Sequence, residues 1–222
     1  MSEDLRPGVL FDVDGTLLDT NYLHALAWWR GLRDTGHEGI SMAAIHHAIG
    51  IASEGLVERL LGRPDQDAVE AHSQRYEELR GEVTAFPGSA ELVRRCAEAG
   101  LVPVLATSGK EKDLEWMVPA IGAGDSLTGA TTSSDVEEAK PSPDLLSTAV
   151  DQHRLDPART AVVGDTVWDV QAARRAGLPC LAVTSGGISE AELRDAGAAA
   201  VYAGPGDLLE SFDDSLLARL GG

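Results

Sequence analysis

The sequence predicts an α/β fold in which a parallel β-sheet carries helices on both faces. Short apolar runs alternate along the chain with segments of helical periodicity, the pattern of strand–helix–strand units. The predicted strands lie near residues 8–13, 101–107, 160–164, 180–184 and 199–202. Hydroxyl, glycine or carboxylate residues follow directly after the first three runs, and ligands bind at the carboxyl ends of strands in such sheets.

The helices between these strands are marked by end signals. They are predicted over residues 89–99, 142–153, 168–176 and 189–196, and three of them stop at a glycine, the residue that most easily closes a helix. Ser189 and Glu192 form a capping box. Ser142 is the predicted cap of its helix, with Pro143 at the first helical position.

Residues 19–84 interrupt the alternation. Helical periodicity occurs around residues 20–34, 41–49, 53–62 and 66–81, without a convincing strand pattern among them. We therefore expect two domains, an α/β core formed by residues 1–18 and 85–222 and a small inserted α-helical domain formed by residues 19–84.

The charge balance excludes one class of partner. The 222 residues include 18 basic and 36 acidic side chains, a formal net charge of −18. A nucleic acid needs a basic face, so no nucleic-acid partner is expected. The same charge opposes long-range attraction of any anion, so an anionic substrate has to be captured by a few local groups.

The sequence shows neither a targeting signal nor a cysteine pattern that indicates a function. The first residues are charged, and neither a signal peptide nor a membrane span is evident, so we expect a cytoplasmic protein without a membrane partner. Cys96 and Cys180 show no metal-ligand spacing and are interpreted as reduced core residues. The chain is expected to be a monomer or a homodimer.

Two carboxylates follow the first strand. Asp12 and Asp14 come directly after the apolar run 8–11, and side chains two apart on a strand point the same way. Like charges that close together are costly unless a cation lies between them. Gly15 allows the chain to turn at this point. The arrangement points to catalysis or metal binding at the strand end.

The second strand ends in Thr107, Ser108 and Gly109, a tip that can offer a hydroxyl and backbone N–H groups to an oxyanion. All three lysines of the chain fall at or just after segments at this end of the sheet. For Lys110 and Lys112 the favoured interpretation is a position on the first turn of the next helix.

Two later segments supply more polar groups. Lys140 stands in a proline-rich turn before a helix start. Asp165 follows the third strand, and Asp169 is four residues further on, so the two carboxylates can share one face of a helical turn.

Together these four segments resemble the motifs of the haloacid dehalogenase-like superfamily of phosphohydrolases, over nearly the whole chain. Asp12-x-Asp14-Gly15-Thr16 is similar to the first motif, Thr107 to the second and Lys140 to the third. Gly164-Asp165-x-x-x-Asp169 is similar to the fourth. The order and spacing of the set are specific, whereas each piece alone is weak.

The resemblance implies a Rossmann-like core and an Mg²⁺-dependent phosphatase that acts on a small phosphate ester. It makes Asp12 the nucleophile, which forms an aspartyl-phosphate, and Asp14 the general acid and base. Thr107 and the neighbouring Ser108 and Gly109 hold phosphoryl oxygens, and Lys140 offsets negative charge. The implied Mg²⁺ ligands are Asp12, the Asp14 backbone carbonyl and Asp165, whereas Asp169 either binds the metal or orients its water.

The inserted helices resemble the cap domain of subclass I members, which closes over the core site and contacts the leaving group. His24 and Trp28 lie four residues apart and share one helix face. Packing inside the cap is the commoner role for such residues, and contact with the substrate is the alternative.

Three other functions agree less well with this sequence. A dehalogenase is disfavoured by Asp14, because that branch generally lacks the second aspartate. A β-phosphoglucomutase-like sugar mutase is the main alternative, although residues 50–54 have no arginine or lysine where the mutase pattern has one. A non-enzymatic phosphate- or metal-binding module is disfavoured because every expected catalytic position is filled.

Overall fold

A parallel β-sheet forms the centre of the larger part of the molecule. A computed structural model gives the structure of residues 5–136 and 140–222. Within those two ranges the sheet has six strands: β1 (Arg6–Phe11), β2 (Val102–Ala106), β3 (Gly129–Thr131), β4 (Leu155–Gly164), β5 (Cys180–Val183) and β6 (Ala200–Tyr202). They pair in the order β3-β2-β1-β4-β5-β6, and each pairing is parallel.

Strand β1 lies between β2 and β4, so the direction in which strands are added reverses at β1. Leu10 pairs in register with Val104 on one side and Val162 on the other. In open parallel sheets, ligands bind outside the carboxyl ends of the strands at this reversal. The topology therefore places the residues that follow β1, β2 and β4 around one crevice.

Helices cover both faces of the sheet. In chain order the helices are α1 (Asn21–Asp34), α2 (Met42–Ala48), α3 (Ser53–Leu61), α4 (Gln66–Leu79), α5 (Ser89–Glu98), α6 (Leu114–Ile121), α7 (Asp144–Gln152), α8 (Val167–Arg175), α9 (Glu190–Ala196), α10 (Pro205–Glu210) and α11 (Leu216–Gly221). Phe11 belongs to a hydrophobic cluster that includes residues of α5, α6, α10 and α11, whereas the neighbouring Leu10 belongs to a second cluster with residues of α7, α8 and α9. This alternation follows from the two-residue period of a strand, and it confirms the predicted α/β fold.

Helices α1 to α4 have a hydrophobic core of their own. It includes Ala25, Trp28 and Leu32 of α1, Ile45 of α2 and Leu56 of α3. Burying a leucine or isoleucine side chain stabilises the folded state by about 1.5–3 kcal/mol. The four helices therefore pack as a bundle around these residues.

Two chain segments join this bundle to the sheet, and they are hydrogen-bonded to each other. The Asp19 N–H donates to the Thr84 carbonyl at 2.9 Å, and the Phe86 N–H donates to the Leu17 carbonyl at 3.0 Å. The entry and exit of the bundle are thus held side by side.

Three elements were not expected from the sequence, β3, α10 and α11, whereas α6 is the helix expected after Lys110 and Lys112. Strand β3 has three residues, and α10 and α11 have six each. Elements this short contain too little sequence to show a period. They are formed by packing, β3 by pairing with β2 and α10 by contact with α5.

Some predicted boundaries are wrong. Strand β1 stops at Phe11, and β4 begins at Leu155, five residues earlier than expected, in a stretch where residues 157–159 are exposed and one of them is a proline. Helix α7 begins at Asp144, and Ser142 is not its cap residue. The Ser142 hydroxyl instead accepts the Asp144 N–H at 3.5 Å in a local turn before the helix.

The two cysteines are buried as predicted, Cys96 on α5 and Cys180 on β5, and both are free thiols. Burial raises the pKa of the Cys96 thiol to about 12, so it stays protonated. Among the described residues, none of the helices is both long and apolar enough to cross a membrane.

Candidate active site

The carboxyl ends of β1, β2 and β4 each deliver one buried polar residue to the crevice. These are Asp12, Thr107 and Asp165, which come directly after the three strands. Asp12 is 5% exposed, and the other two are fully buried. The structure therefore brings together the three residues that the sequence placed at this edge.

Three carboxylates are close enough to share a cation. Asp12, Asp165 and Asp169 each contribute an oxygen, and these oxygens lie within 4.8 Å of one another. Burial raises the pKa of Asp12 to about 7, although Lys140 lowers it. The pKa of Asp165 is also raised, by burial and then by the charges of Asp12 and Asp169. A set of oxygens whose negative charges repel one another suits a hard divalent cation.

Lys140 is the basic residue inside this cluster. Its side chain is 1% exposed and forms ion pairs with Asp12 and, at 2.7 Å, with Asp169. Burial lowers the pKa of Lys140, but the two carboxylates outweigh that effect and raise it above its usual value. Lys140 is therefore charged and offsets part of the cluster's negative charge.

Asp165 is held in place by residues from two other segments. Its Oδ1 accepts from the Thr16 hydroxyl at 3.0 Å, and its Oδ2 accepts from the Asn21 amide at 2.7 Å. Asn21 is the first residue of α1, and it also donates to the Gly186 carbonyl at 3.2 Å. One residue of the helical bundle thus contacts the buried acidic cluster directly.

Asp169 has two structural partners. Its Oδ2 accepts from the Thr166 N–H at 3.1 Å and from the Thr166 hydroxyl at 2.5 Å, which closes the capping box of α8. Its Oδ1 faces Lys140. The first turn of α8 therefore fixes the carboxylate that anchors Lys140.

Gly186 allows the chain to pass close to Asp165. A Cβ atom on this residue would lie 1.6 Å from Asp165 Oδ2 and 2.6 Å from Asn21 Nδ2. These distances are far below a van der Waals contact, so any larger residue forces the loop or the carboxylate to move.

We expect Gly186→Ala to lower the free energy of unfolding by about 1–3 kcal/mol, the usual cost of overpacking. Because the displaced group is Asp165, catalytic activity should fall as well. Gly39→Ala is the control, since nothing lies within 4 Å of its added methyl group. Urea denaturation of both variants measures the effect, and equal stability of the two would contradict this packing argument.

Asp14 lies in the same cavity as Asp12 but has different partners. Its Oδ1 accepts from the Thr20 hydroxyl at 2.7 Å and from His24 Nε2 at 3.2 Å. Burial raises the pKa of Asp14, but His24 and Thr20 outweigh it and lower the value below 3.8. The two predicted carboxylates therefore differ in environment, Asp12 beside a lysine and Asp14 beside a histidine of α1.

His24 and Trp28 belong to a stack of aromatic rings. The His24 ring lies 3.8 Å from the Tyr76 ring, and the Trp28 ring lies 3.9 Å from the His72 ring, both nearly parallel. His24 Nδ1 is 3.2 Å from His72 Nε2. Trp28 is thus a core residue of the bundle that also lines the cavity, and His24 contacts the site.

The tip after β2 connects the sheet to the bundle. The Ser108 hydroxyl donates to the Gly50 carbonyl at 2.8 Å, and the Gly109 N–H donates to the Thr107 hydroxyl at 3.0 Å. The sequence predicts that the backbone N–H groups of this tip are available to an oxyanion, but the Gly109 N–H is hydrogen-bonded to Thr107. A short 3₁₀ turn, Glu111–Asp113, precedes α6. Lys110 is the residue before this turn, and Lys112 lies within it.

A cavity of about 120 Å³ opens between the bundle and the strand ends. Asp12, Asp14, Ser108 and Gly109 line its floor side, and residues of α1, α3 and α4 line its other wall. A single water molecule needs only about 10–15 Å³ of such cavity volume, so this cavity is large enough for a small organic molecule.

Several neighbours of the site were not predicted: the polar residues Thr20, Asn21, His72, Tyr76, Arg80 and Thr166, and also Gly186. Thr166 and Asp169 have the spacing of a capping box, so this pair could have been found from the sequence. The others depend on tertiary contacts that leave no local pattern.

Comparison with known proteins gives the family. A family model described as a haloacid dehalogenase-like hydrolase matches residues 7–177. The chain belongs to this hydrolase family. A solved structure of a hydrolase from Pseudomonas syringae superposes with a TM-score of 0.87 and 33% identity, covering 94% of this chain and 99% of that chain.

Curated relatives of this haloacid dehalogenase-like hydrolase include phosphatases. The phosphoglycolate phosphatase of Pseudomonas putida is 28% identical over 199 residues, covering 83% of this chain and 73% of that protein. The validoxylamine A 7'-phosphate phosphatase of Streptomyces hygroscopicus subsp. limoneus is 27% identical over 193 residues, covering 79% and 84%. The predicted class of enzyme, a phosphohydrolase, is thereby confirmed.

Proposed function

We propose that the protein is an Mg²⁺-dependent phosphatase that hydrolyses a small-molecule phosphate monoester through an aspartyl-phosphate on Asp12. One observation carries the proposal: Asp12 lies at the floor of the cavity and in a buried cluster with Asp165, Asp169 and Lys140. The cluster pairs an oxygen nucleophile with sites for two kinds of positive charge, a metal ion and an ammonium group.

The donor set fits a hard cation, and Asp12, Asp165 and the Asp14 backbone carbonyl would hold it. When bound, Mg²⁺ supplies positive charge that offsets the phosphoryl oxygens. Asp169 has Thr166 on one oxygen and Lys140 on the other, so we assign it the task of positioning Lys140 rather than binding the metal.

In the first step, an Asp12 carboxylate oxygen attacks phosphorus in line with the ester oxygen, and the P–O bond of the ester breaks. Asp14 gives a proton to the departing alkoxide. The charge of the bound ester raises the pKa of Asp14 and favours the protonated form needed here. Lys140 offsets charge between Asp12 and the phosphoryl group.

In the second step, water attacks the phosphorus of the aspartyl-phosphate while Asp14 removes a proton from that water. The bond between phosphorus and the Asp12 oxygen breaks, which releases inorganic phosphate and restores the Asp12 carboxylate. The hydrogen bonds from Thr20 and His24 stabilise Asp14 as the carboxylate, which is the form that this step requires. The Thr107 hydroxyl and the neighbouring backbone are proposed to hold phosphoryl oxygens.

We propose that residues 19–84 form the cap and that residues 1–18 and 85–222 form the core. The separate hydrophobic cluster of α1 to α4 and the paired connecting segments support this division. The hydrogen bond between Ser108 and Gly50 and the contact between His24 and Asp14 join the two parts over the cavity. Substrate selection would then depend on the cap.

A sugar phosphate mutase is the alternative within this fold. A mutase has to bind a second phosphate, and residues 50–54 line the cavity with Glu54 instead of a basic residue. Lys110 lies 4.0 Å from Glu54, so part of its charge is offset. These contacts favour hydrolysis. Release of inorganic phosphate from a sugar phosphate, without isomerisation of the sugar phosphate, separates the two activities.

Removal of divalent metal tests the proposal. We expect the purified protein to release phosphate from p-nitrophenyl phosphate with MgCl₂, to lose activity in EDTA and to recover it when excess MgCl₂ is added. A ligand that binds only the folded state stabilises it by about 2.7 kcal/mol when the ligand concentration is about 100 times its Kd. The melting temperature of the protein should therefore also rise when Mg²⁺ is added.

Calcium chloride at equal ionic strength is the control, because Ca²⁺ prefers more ligands and longer distances than Mg²⁺. Full activity in EDTA, or a melting temperature that Mg²⁺ leaves unchanged, would overturn the proposed metal dependence.

A further inference from the structure

Three buried polar atoms on one side of helix α4 have no hydrogen-bond partner. They are His72 Nδ1, the Tyr76 hydroxyl and Arg80 Nε, and none of them has a partner within residues 5–136 and 140–222. The residues are spaced by four, so they line up along one face of α4 and its last turn. His72 and Tyr76 are each 7% exposed, and all three residues line the cavity over Asp12 and Asp14.

A buried polar group without a partner costs about 1–3 kcal/mol. Three such groups on one face of one helix, all beside the same cavity, indicate that their partner is a molecule that enters the cavity. His72 Nε2 and a terminal nitrogen of Arg80 have partners that hold these side chains in place, whereas His72 Nδ1, the Tyr76 hydroxyl and Arg80 Nε have none among the described residues.

The contacts of His72 and Tyr76 place them on the leaving-group side of the reaction. His24 contacts Asp14, His72 contacts His24, and the Tyr76 ring stacks on His24 at 3.8 Å. Asp14 is the proposed acid for the ester oxygen, so groups next to it face the alcohol part of the ester. Arg80 lies above the Trp116 ring at 5.4 Å.

Tyr76 and Arg80 offer hydrogen-bond donors to the cavity. Burial and the nearby Asp14 and Asp113 carboxylates raise the pKa of Tyr76 above its usual value, so its hydroxyl keeps its proton. Arg80 Nε can only donate. The terminal nitrogen of Arg80 already pairs with Glu77 and lies 4.0 Å from Asp113, which orients the guanidinium and leaves Nε for another acceptor.

We propose that Tyr76 and Arg80, with His72 beside them, recognise an acceptor oxygen on the alcohol part of the substrate. The substrate class is then a phosphate ester of a short alcohol that carries a hydroxyl or a carboxylate near the ester carbon. Plain alkyl esters leave these donors unpaired and are rejected. This inference rests on the proposed phosphatase activity and extends it to the choice of substrate.

Three esters of similar size test the inference: 2-phosphoglycolate supplies a carboxylate, glycerol 1-phosphate supplies hydroxyls, and ethyl phosphate supplies neither. We expect the wild-type kcat/KM for at least one oxygen-bearing ester to exceed that for ethyl phosphate by at least about tenfold. Tyr76→Phe and Arg80→Lys should each reduce this ratio about tenfold. If the ratio falls for 2-phosphoglycolate, the recognised group is a carboxylate, and if it falls for glycerol 1-phosphate, the recognised group is a hydroxyl.

Matched controls are available in the chain. Tyr202→Phe removes a hydroxyl from β6, and Arg75→Lys changes an arginine of α4 that pairs with Asp34 and Glu78, away from the cavity. Both should keep the wild-type ratio. An unchanged ratio in Tyr76→Phe and Arg80→Lys, or an equal loss on all three esters, overturns the inference while leaving the phosphatase intact. Failure of the wild type to hydrolyse any ester overturns the phosphatase itself.

Discussion

Replacing Asp12 with asparagine is expected to lower phosphate release by at least about 10⁴-fold while the chain stays folded. Asparagine has nearly the same shape as aspartate, but its amide is a poor nucleophile toward phosphorus. Lys140 keeps Asp169 as a partner in this variant, so no buried ammonium is left without a counter-charge. Phosphate release from p-nitrophenyl phosphate measures the loss, and turnover near the wild-type rate would mean that another residue attacks phosphorus.

The same variant should show a stability effect that depends on pH. Burial raises the pKa of Asp12 from 3.8 to about 7, so the folded state binds this proton more tightly than the unfolded state. The associated stabilisation is complete below pH 3.8 and is lost as the pH rises through about 7. Asparagine does not titrate, so in EDTA the melting temperature of Asp12→Asn relative to wild type should be higher at pH 8 than at pH 5.

Thermal denaturation of both proteins at the two pH values checks this sign independently of activity. Asp195→Asn is the control, because Asp195 is exposed on α9, away from the acidic cluster. A difference in melting temperature between Asp12→Asn and wild type that is the same at both pH values would contradict the raised pKa of Asp12.

The strand ends were predictable because their signals are local. An apolar run followed by Asp12, by Thr107 or by Asp165 marks both a buried strand and the point where it ends. A parallel sheet then places these ends at one edge without any knowledge of the long-range contacts. This rule predicts where Asp12, Thr107 and Asp165 lie, but it does not predict what each of them does.

The wall of the cavity opposite the strands was not predictable in the same way. His72, Tyr76 and Arg80 have an ordinary helical spacing, and only the packing of α4 against α1 turns this face toward Asp14. Gly186 likewise becomes important only because Asp165 lies against it. Such features depend on pairs of residues that are distant in the sequence, and a single sequence does not contain that information.

Replacing Lys140 with methionine is expected to lower the free energy of unfolding by about 3–5 kcal/mol, the usual cost of removing one partner from a buried ion pair. Methionine keeps much of the volume of lysine, so the main loss is the charge. Asp12, Asp165 and Asp169 then repel one another without the ammonium group that pairs with two of them. Phosphate release should also fall by about 10³-fold, because the charge that offsets the phosphoryl group is lost.

Urea denaturation at pH 8 in EDTA measures the stability loss without a contribution from bound metal. Lys112→Met is the matched control for stability, since Lys112 is solvent-exposed and should change the free energy of unfolding by less than about 0.5 kcal/mol. Added Mg²⁺ should raise the melting temperature of Lys140→Met more than that of the wild type, because the variant's carboxylates carry more uncompensated charge. If Lys140→Met were as stable as Lys112→Met in EDTA, the buried carboxylates would have to be protonated at pH 8, and the electrostatic argument for a metal between them would fail.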